Sequence, residues 1–153
     1  MRLEEKINDG IKNAMKAKDK VRLETLRNIK KYIIEAKTTG VSIAELPDED
    51  CLKIIQKLSK QGIDSATIYD QQNRADLRDY ELAQVAVLKE YLPVQMNEVE
   101  LTAAVREIIA NIGATSIKDM GKVMGMASKS LSGKAEGKDI SAKVKELLSI
   151  VAQ

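Results

Sequence analysis

Apolar residues recur three or four positions apart along most of the chain, and this spacing constrains the fold more than any other feature. In residues 2 to 18, Leu3, Ile7, Ile11, Ala14 and Met15 fall on one side of a helix, with Lys and Asp on the other. Leu26, Ile29, Ile33 and Ala36 repeat the pattern after Asp19, a capping residue, until Thr38-Thr39-Gly40 stops it. A loop is expected from Val41 to Pro47. Pro47-Asp48-Glu49-Asp50 then marks a helix start through a fixed φ, a capping carboxylate and negative charge in the first turn. The third helix carries Cys51, Leu52, Ile54, Ile55 and Leu58. Gly62 interrupts the pattern, so Ile63 to Tyr69 is expected as a short helix or a bent continuation. A long helix follows from Ala75 to Leu92, where Pro93 ends it.

We place a domain boundary after Pro93. Asn97 caps a further helix with Leu101, Val105, Ile108, Ile109 and Ile112 as its apolar stripe, and Gly113 stands where a left-handed cap is wanted. Ser116 and Asp119 have the spacing of a capping box that opens the next helix. A loop at residues 132 to 138 precedes a last helix that starts at Asp139 or Ser141 and carries Ile140, Val144, Leu147, Leu148 and Val151. The reading is therefore all-α, with an N-terminal domain of about four helices (1–93) and a C-terminal domain of three (97–153). Composition agrees: helix-favouring Ala, Leu, Ile, Lys and Glu dominate, while 8 Gly and 2 Pro supply few turns in 153 residues.

The residue inventory excludes most catalytic chemistry. There is no His, hence no imidazole base and no histidine metal ligand, and one Cys cannot build a thiolate zinc site. The acidic clusters Glu4-Glu5 and Asp48-Glu49-Asp50 read as helix caps and solvated faces, because neighbours on a helix point about 100° apart and converge poorly on one ion. Gly121-Lys122-Val123-Met124-Gly125 lacks the spacing and the Lys-Ser/Thr ending of a phosphate-binding P-loop. We expect no catalytic set, no metal and no cofactor. Arg27 reads as a surface or ion-pair residue, and Tyr91-Leu92-Pro93 as a packed helix end. No apolar run is long enough to cross a bilayer, the N-terminus lacks a secretory core, and the lone thiol cannot form an internal disulfide. The expected location is cytoplasmic, with no membrane partner.

One stretch stands apart. On a helical wheel Lys118, Lys122, Gly125 and Lys129 fall within about 60° of one another, with Ile117, Met120, Met124, Ala127 and Leu131 opposite. From Ile112 to Lys134 four lysines (Lys118, Lys122, Lys129, Lys134) stand against Asp119 alone, a local charge of +3 although the chain carries only +2. Two readings are open. The lysines are a solvated face and Gly121 and Gly125 admit a neighbouring helix, or the bare face lets a phosphate backbone approach the lysines. With no Phe or Trp, recognition would be of backbone and shape and would weaken with salt.

The stretch Ser116 to Gly125, preceded by Gly113-Ala114 and followed by Gly133-Lys134-Ala135-Glu136-Gly137, resembles the signature of the YqeY-like proteins and of the tail of the GatB subunit of glutamine-dependent transfer-RNA amidotransferases. Leu26-Arg27, Asn73-Arg74-Ala75-Asp76-Leu77 and Glu90-Tyr91-Leu92-Pro93 are similar to the stand-alone YqeY pattern. Glu136 departs from it, the family usually showing Asp there. The resemblance implies a helical N-terminal domain joined to a small three-helix tail that helps hold transfer RNA, with glutamine-dependent carbon–nitrogen ligase chemistry residing in other domains. By carry-over it points to Lys118, Gly121, Lys122 and Gly125 for RNA contact; the charge argument adds Lys129 and Lys134. The expected function is a non-catalytic module that contacts transfer RNA or another structured RNA, or that associates with an amidotransferase. The alternatives are a protein-interaction adaptor acting through the N-terminal helices and, less in keeping with the apolar setting of Cys51, an amidotransferase in its own right.

Overall fold

A computed structural model describes residues 1–40 and 42–151; Val41, where the expected loop begins, and residues 152 and 153, the end of the expected C-terminal domain, lie outside the described residues. Among the described residues the chain is all helical, with seven α-helices and one 3₁₀ turn. It divides into two compact units, Met1–Pro93 and Val94–Gln153.

The first unit holds α1 (Leu3–Ala17), α2 (Lys20–Thr38), α3 (Asp48–Gln71) and α4 (Ala75–Glu90). Its core gathers the apolar stripes of all four: Ile7 from α1, Leu26, Ile29 and Ile33 from α2, Cys51 and Ile55 from α3, and Leu88 from α4. Each such side chain contributes roughly 1.5–3 kcal/mol by leaving water. Asp19 Oδ1 accepts the Arg22 N–H at 3.1 Å, the cap that starts α2. Asp48 acts differently from expectation. Its Oδ1 accepts the Leu3 N–H of α1 at 3.0 Å, so this carboxylate satisfies the free amide of a distant helix rather than capping its own.

Gly62 does not interrupt α3, which runs unbroken for 24 residues. The glycine is buried, and a Cβ there would meet Val85 Cγ2 of α4 at 2.6 Å. The missing side chain serves the close approach of α3 to α4. The helix ends instead at Gln71; Asn73 takes a left-handed φ of 58° and the Arg74 N–H closes onto Tyr69 O at 2.8 Å.

The second unit holds α5 (Glu98–Ile112), the 3₁₀ turn Ile117–Asp119, α6 (Met120–Ser130) and α7 (Gly137–Val151). Val105, Ile108 and Ile109 of α5, Val123 and Ala127 of α6, and Val144, Leu147 and Leu148 of α7 form its core. Asn97 and Glu100 make a reciprocal capping box, and Gly113 closes α5 at φ 75°. The last helix begins at Gly137, two residues before the earlier of the two starts expected, because the Ile140 N–H already finds Glu136 O at 3.0 Å.

Candidate nucleic-acid interface

The basic stretch is built in two pieces. Ser116 Oγ accepts the Lys118 N–H at 3.3 Å, while the Asp119 carboxylate accepts the N–H groups of Thr115 at 2.9 Å and Ser116 at 3.4 Å. Those bonds draw residues 117–119 into a tight 3₁₀ turn ahead of α6. Lys118 is thus set by the turn and not by the α6 wheel, and Ile117, expected on the apolar side, is 46% exposed. The amide of Thr115 first, then that of Ser116 and the nearby Lys122 charge, hold the Asp119 carboxyl below its ordinary value against a desolvation effect of opposite sign. The single acid of the stretch is therefore engaged as a cap.

On α6 the buried positions are Val123 and Ala127. Lys122, Gly125 and Lys129 lie on the side of the helix away from these, with Gly121 at its edge, and all four residues are exposed. A Cβ built on Gly121 or Gly125 would meet no atom within 4 Å. No neighbouring helix uses the gap, so close helix packing does not account for either glycine. Lys134 is presented from the loop after α6, which is tied in place: the Met96 N–H donates to Lys134 O at 2.9 Å and Gln95 Nε2 to Gly133 O at 2.6 Å. Gly133 there has φ 77°. Ser132 Oγ in the same loop is buried without a hydrogen-bond partner among the described residues, a feature that no sequence pattern marks.

Among the described residues none of Lys118, Lys122, Lys129 and Lys134 has a carboxylate within ion-pair distance; Lys143 of the same unit, by contrast, is buried and held by Glu98 and Glu146. Two clefts of this unit, one bordered by Ile108, Asn111 and Met126 and the other by Ile109, Gly113 and Leu147, include none of the six candidate residues. The lysine face is an open surface, suited to a polymer rather than to an enclosed small molecule.

The catalytic alternatives fare poorly in the first unit. Burial, reinforced by the negative charges of Glu4, Asp48 and Asp50, pushes the fully buried Cys51 thiol up to about 11, so it is protonated and inert at neutral pH. Glu4 and Glu5 diverge. Glu5 Oε2 accepts the Arg2 N–H at 3.1 Å, whereas Glu4 is buried between Lys37 Nζ at 2.7 Å, Lys30 Nζ at 3.3 Å and the Leu46 N–H at 3.2 Å. No group of three His, Cys, Asp or Glu residues is placed to hold a metal ion among the described residues.

Fold and site together define an all-helical protein with an unpaired, glycine-bared basic helix face in its C-terminal unit. The chain belongs to the YqeY-like protein family, whose profile matches residues 4–148. It is 30% identical over 147 residues to "Altered inheritance of mitochondria protein 41, mitochondrial" of Pyrenophora tritici-repentis, a match covering 94% of this chain and 79% of that protein. It is 33% identical over 113 residues to the protein of the same name of Clavispora lusitaniae, covering 70% of this chain and 65% of that one. Neither name refers to RNA or to amide transfer.

These relatives overturn the expected cytoplasmic location, since both are named as mitochondrial. The physical reason for the error is plain. A single thiol that cannot form an internal disulfide does not separate the cytoplasm from the interior of an organelle.

Proposed function

We propose that the chain is a non-catalytic helical module that holds structured RNA, transfer RNA foremost, through Lys118, Gly121, Lys122, Gly125, Lys129 and Lys134, and that it serves amide-transfer chemistry carried by other proteins. The observation that carries this reading is the combination on α6 of two exposed glycines facing open space and lysines without carboxylate partners. Glycine inside a helix costs about 1 kcal/mol relative to alanine, and no packing offsets it here. A bare backbone beside unpaired ammonium groups is what a phosphate chain requires for close approach. The resemblance of Ser116–Gly125 to the GatB tail supports the choice of transfer RNA. Binding of labelled transfer RNA by the purified chain tests the reading, with Lys118→Glu plus Lys122→Glu expected to reduce affinity at least tenfold; unchanged affinity would remove the site.

A second reading, a protein-docking adaptor, draws support from a 250 Å³ groove between α2 and α3 bordered by Tyr32, Ala36, Ile54 and Leu58. A protein partner retained after nuclease treatment and lost in Tyr32→Asp would favour it.

A further inference from the structure

Among the described residues of the first unit, some cations hold carboxylates, and four others crowd into residues 12 to 20. Arg2, Arg22, Lys30, Lys37, Lys53, Arg74 and Arg78 are each paired with carboxylates. Lys12, Lys16, Lys18 and Lys20, at the end of α1 and the start of α2, are exposed and have no carboxylate within ion-pair distance among the described residues. The acids nearest them in sequence are mostly engaged: Asp19 caps α2 and lies 3.8 Å from Arg22 Nε, and Glu24 accepts the Tyr80 hydroxyl. Asp9, one turn back on α1, has no such role among the described residues. Residues 12 to 20 therefore carry four lysines against one acid, a local +3 that matches the stretch around α6.

We propose that the turn joining α1 to α2, through Lys12, Lys16, Lys18 and Lys20, is a second contact for the phosphate backbone of structured RNA. This rests on the RNA reading given above. Lysine ammonium groups act as point charges, which suit contact with the phosphate backbone and carry no base readout. An anionic membrane is the poorer partner, because the apolar face of α1 that would enter a bilayer, Leu3, Ile7 and Ala14, is already buried in the bundle. Lys18 supplies a handle for the test. It sits at the left-handed C-cap of α1, φ 56° and ψ 33°, where glycine is the favoured residue. Lys18→Gly removes a charge while relieving the backbone, so a structural role and a binding role predict opposite changes.

The experiment measures fluorescence anisotropy of labelled transfer RNA with the full chain across a salt series. The variants are Lys12→Gln/Lys16→Gln/Lys20→Gln, Lys18→Gly, and Lys118→Glu/Lys122→Glu. The triple variant is expected to bind at least tenfold more weakly at 0.1 M salt, with the slope of log K against log salt shallower by about 2 to 3. Lys18→Gly is expected to melt higher and bind about two- to fivefold more weakly. Turn variants with wild-type affinity and slope, while the α6 variant loses binding, would overturn this inference and leave the α6 reading intact. Loss in the turn variants with no loss in the α6 variant would uphold the turn and remove the α6 site. No salt-dependent binding by the wild-type chain would overturn both. Loss of binding to phosphatidylserine vesicles with RNA binding unchanged would also overturn it, in favour of a membrane.

Discussion

Replacing Gly121 and Gly125 with alanine separates the two readings of the basic helix, because they predict opposite outcomes. A methyl group at either position meets nothing within 4 Å, so no steric penalty opposes the gain in helix propensity. Gly125, in the middle of an 11-residue helix, gives the full effect of about 1 kcal/mol; Gly121, in the first turn, gives roughly half. The double variant should be about 1.5 kcal/mol more stable, a rise of roughly 6–12 °C in the melting temperature of a unit this small. The same methyl groups hold a phosphate further from the lysines. Moving an ion pair from about 4 to about 6 Å weakens it by roughly 0.35 kcal/mol in bulk water and roughly 1.4 kcal/mol at an effective dielectric of 20, which brackets a two- to tenfold loss of RNA affinity per contact. Thermal unfolding with hydrogen exchange at the α6 amides reads the first change, and RNA anisotropy at 0.1 M salt reads the second. Destabilisation by alanine would show that the glycines pack against something. Stabilisation with unchanged RNA affinity would show that no phosphate approaches the bared backbone.

Three positions of the N-terminal unit, Gly62, Glu4 and Cys51, give further measurable outcomes. Gly62→Ala should destabilise by about 1–2 kcal/mol, since its Cβ would sit 2.6 Å from Val85 Cγ2, and Val85→Ala in the same chain should recover part of the loss in chemical denaturation. Glu4→Ala should cost about 2–3 kcal/mol by leaving the buried Leu46 amide unpaired and two lysines without their carboxylate. Burial raises the Glu4 carboxyl, but hydrogen bonds from Lys37, Leu46 and Lys30 outweigh it and the net shift is downward from 4.5. The stabilisation from Glu4 is therefore complete above about pH 4.5 and fades as pH falls through the lowered value, and an acid titration of Glu4→Gln should lack that component. Cys51, buried with its thiol pushed up to about 11, should resist iodoacetamide at pH 8 in the native chain and react once the chain is unfolded; rapid native labelling would contradict its placement.

The parts of the fold that could be read from the sequence are those governed by local chemistry. Asp19, Asn97, Ser116 and Gly113 cap their helices through bonds to residues at most four positions away, so the residue type and its neighbours suffice. What escaped was decided across the fold. Gly62 read as a break or a bend because the side chain that needs its bareness, Val85, lies in another helix. Asp48 read as a cap for its own helix because the Leu3 amide it serves is far away in sequence. The Glu4 network and the pairing of Arg22 with Glu90 and of Arg78 with Asp70 could not be seen without coordinates. The six candidate residues were visible as a charge pattern. The wheel, however, misplaced Ile117, which is exposed where the Asp119 bonds tighten that turn to 3₁₀ geometry.

Lysines of α6 that act together on a phosphate backbone make transfer-RNA binding depend steeply on salt. Wild-type chain and Lys118→Glu/Lys122→Glu are titrated against labelled transfer RNA from 50 to 200 mM salt. The wild type is expected to show a steep negative slope of log K against log salt, made shallower by roughly 1.4 to 1.8 in the variant, because each phosphate contact contributes roughly 0.7–0.9 to the slope. Equal slopes and equal affinities for the two chains would contradict it.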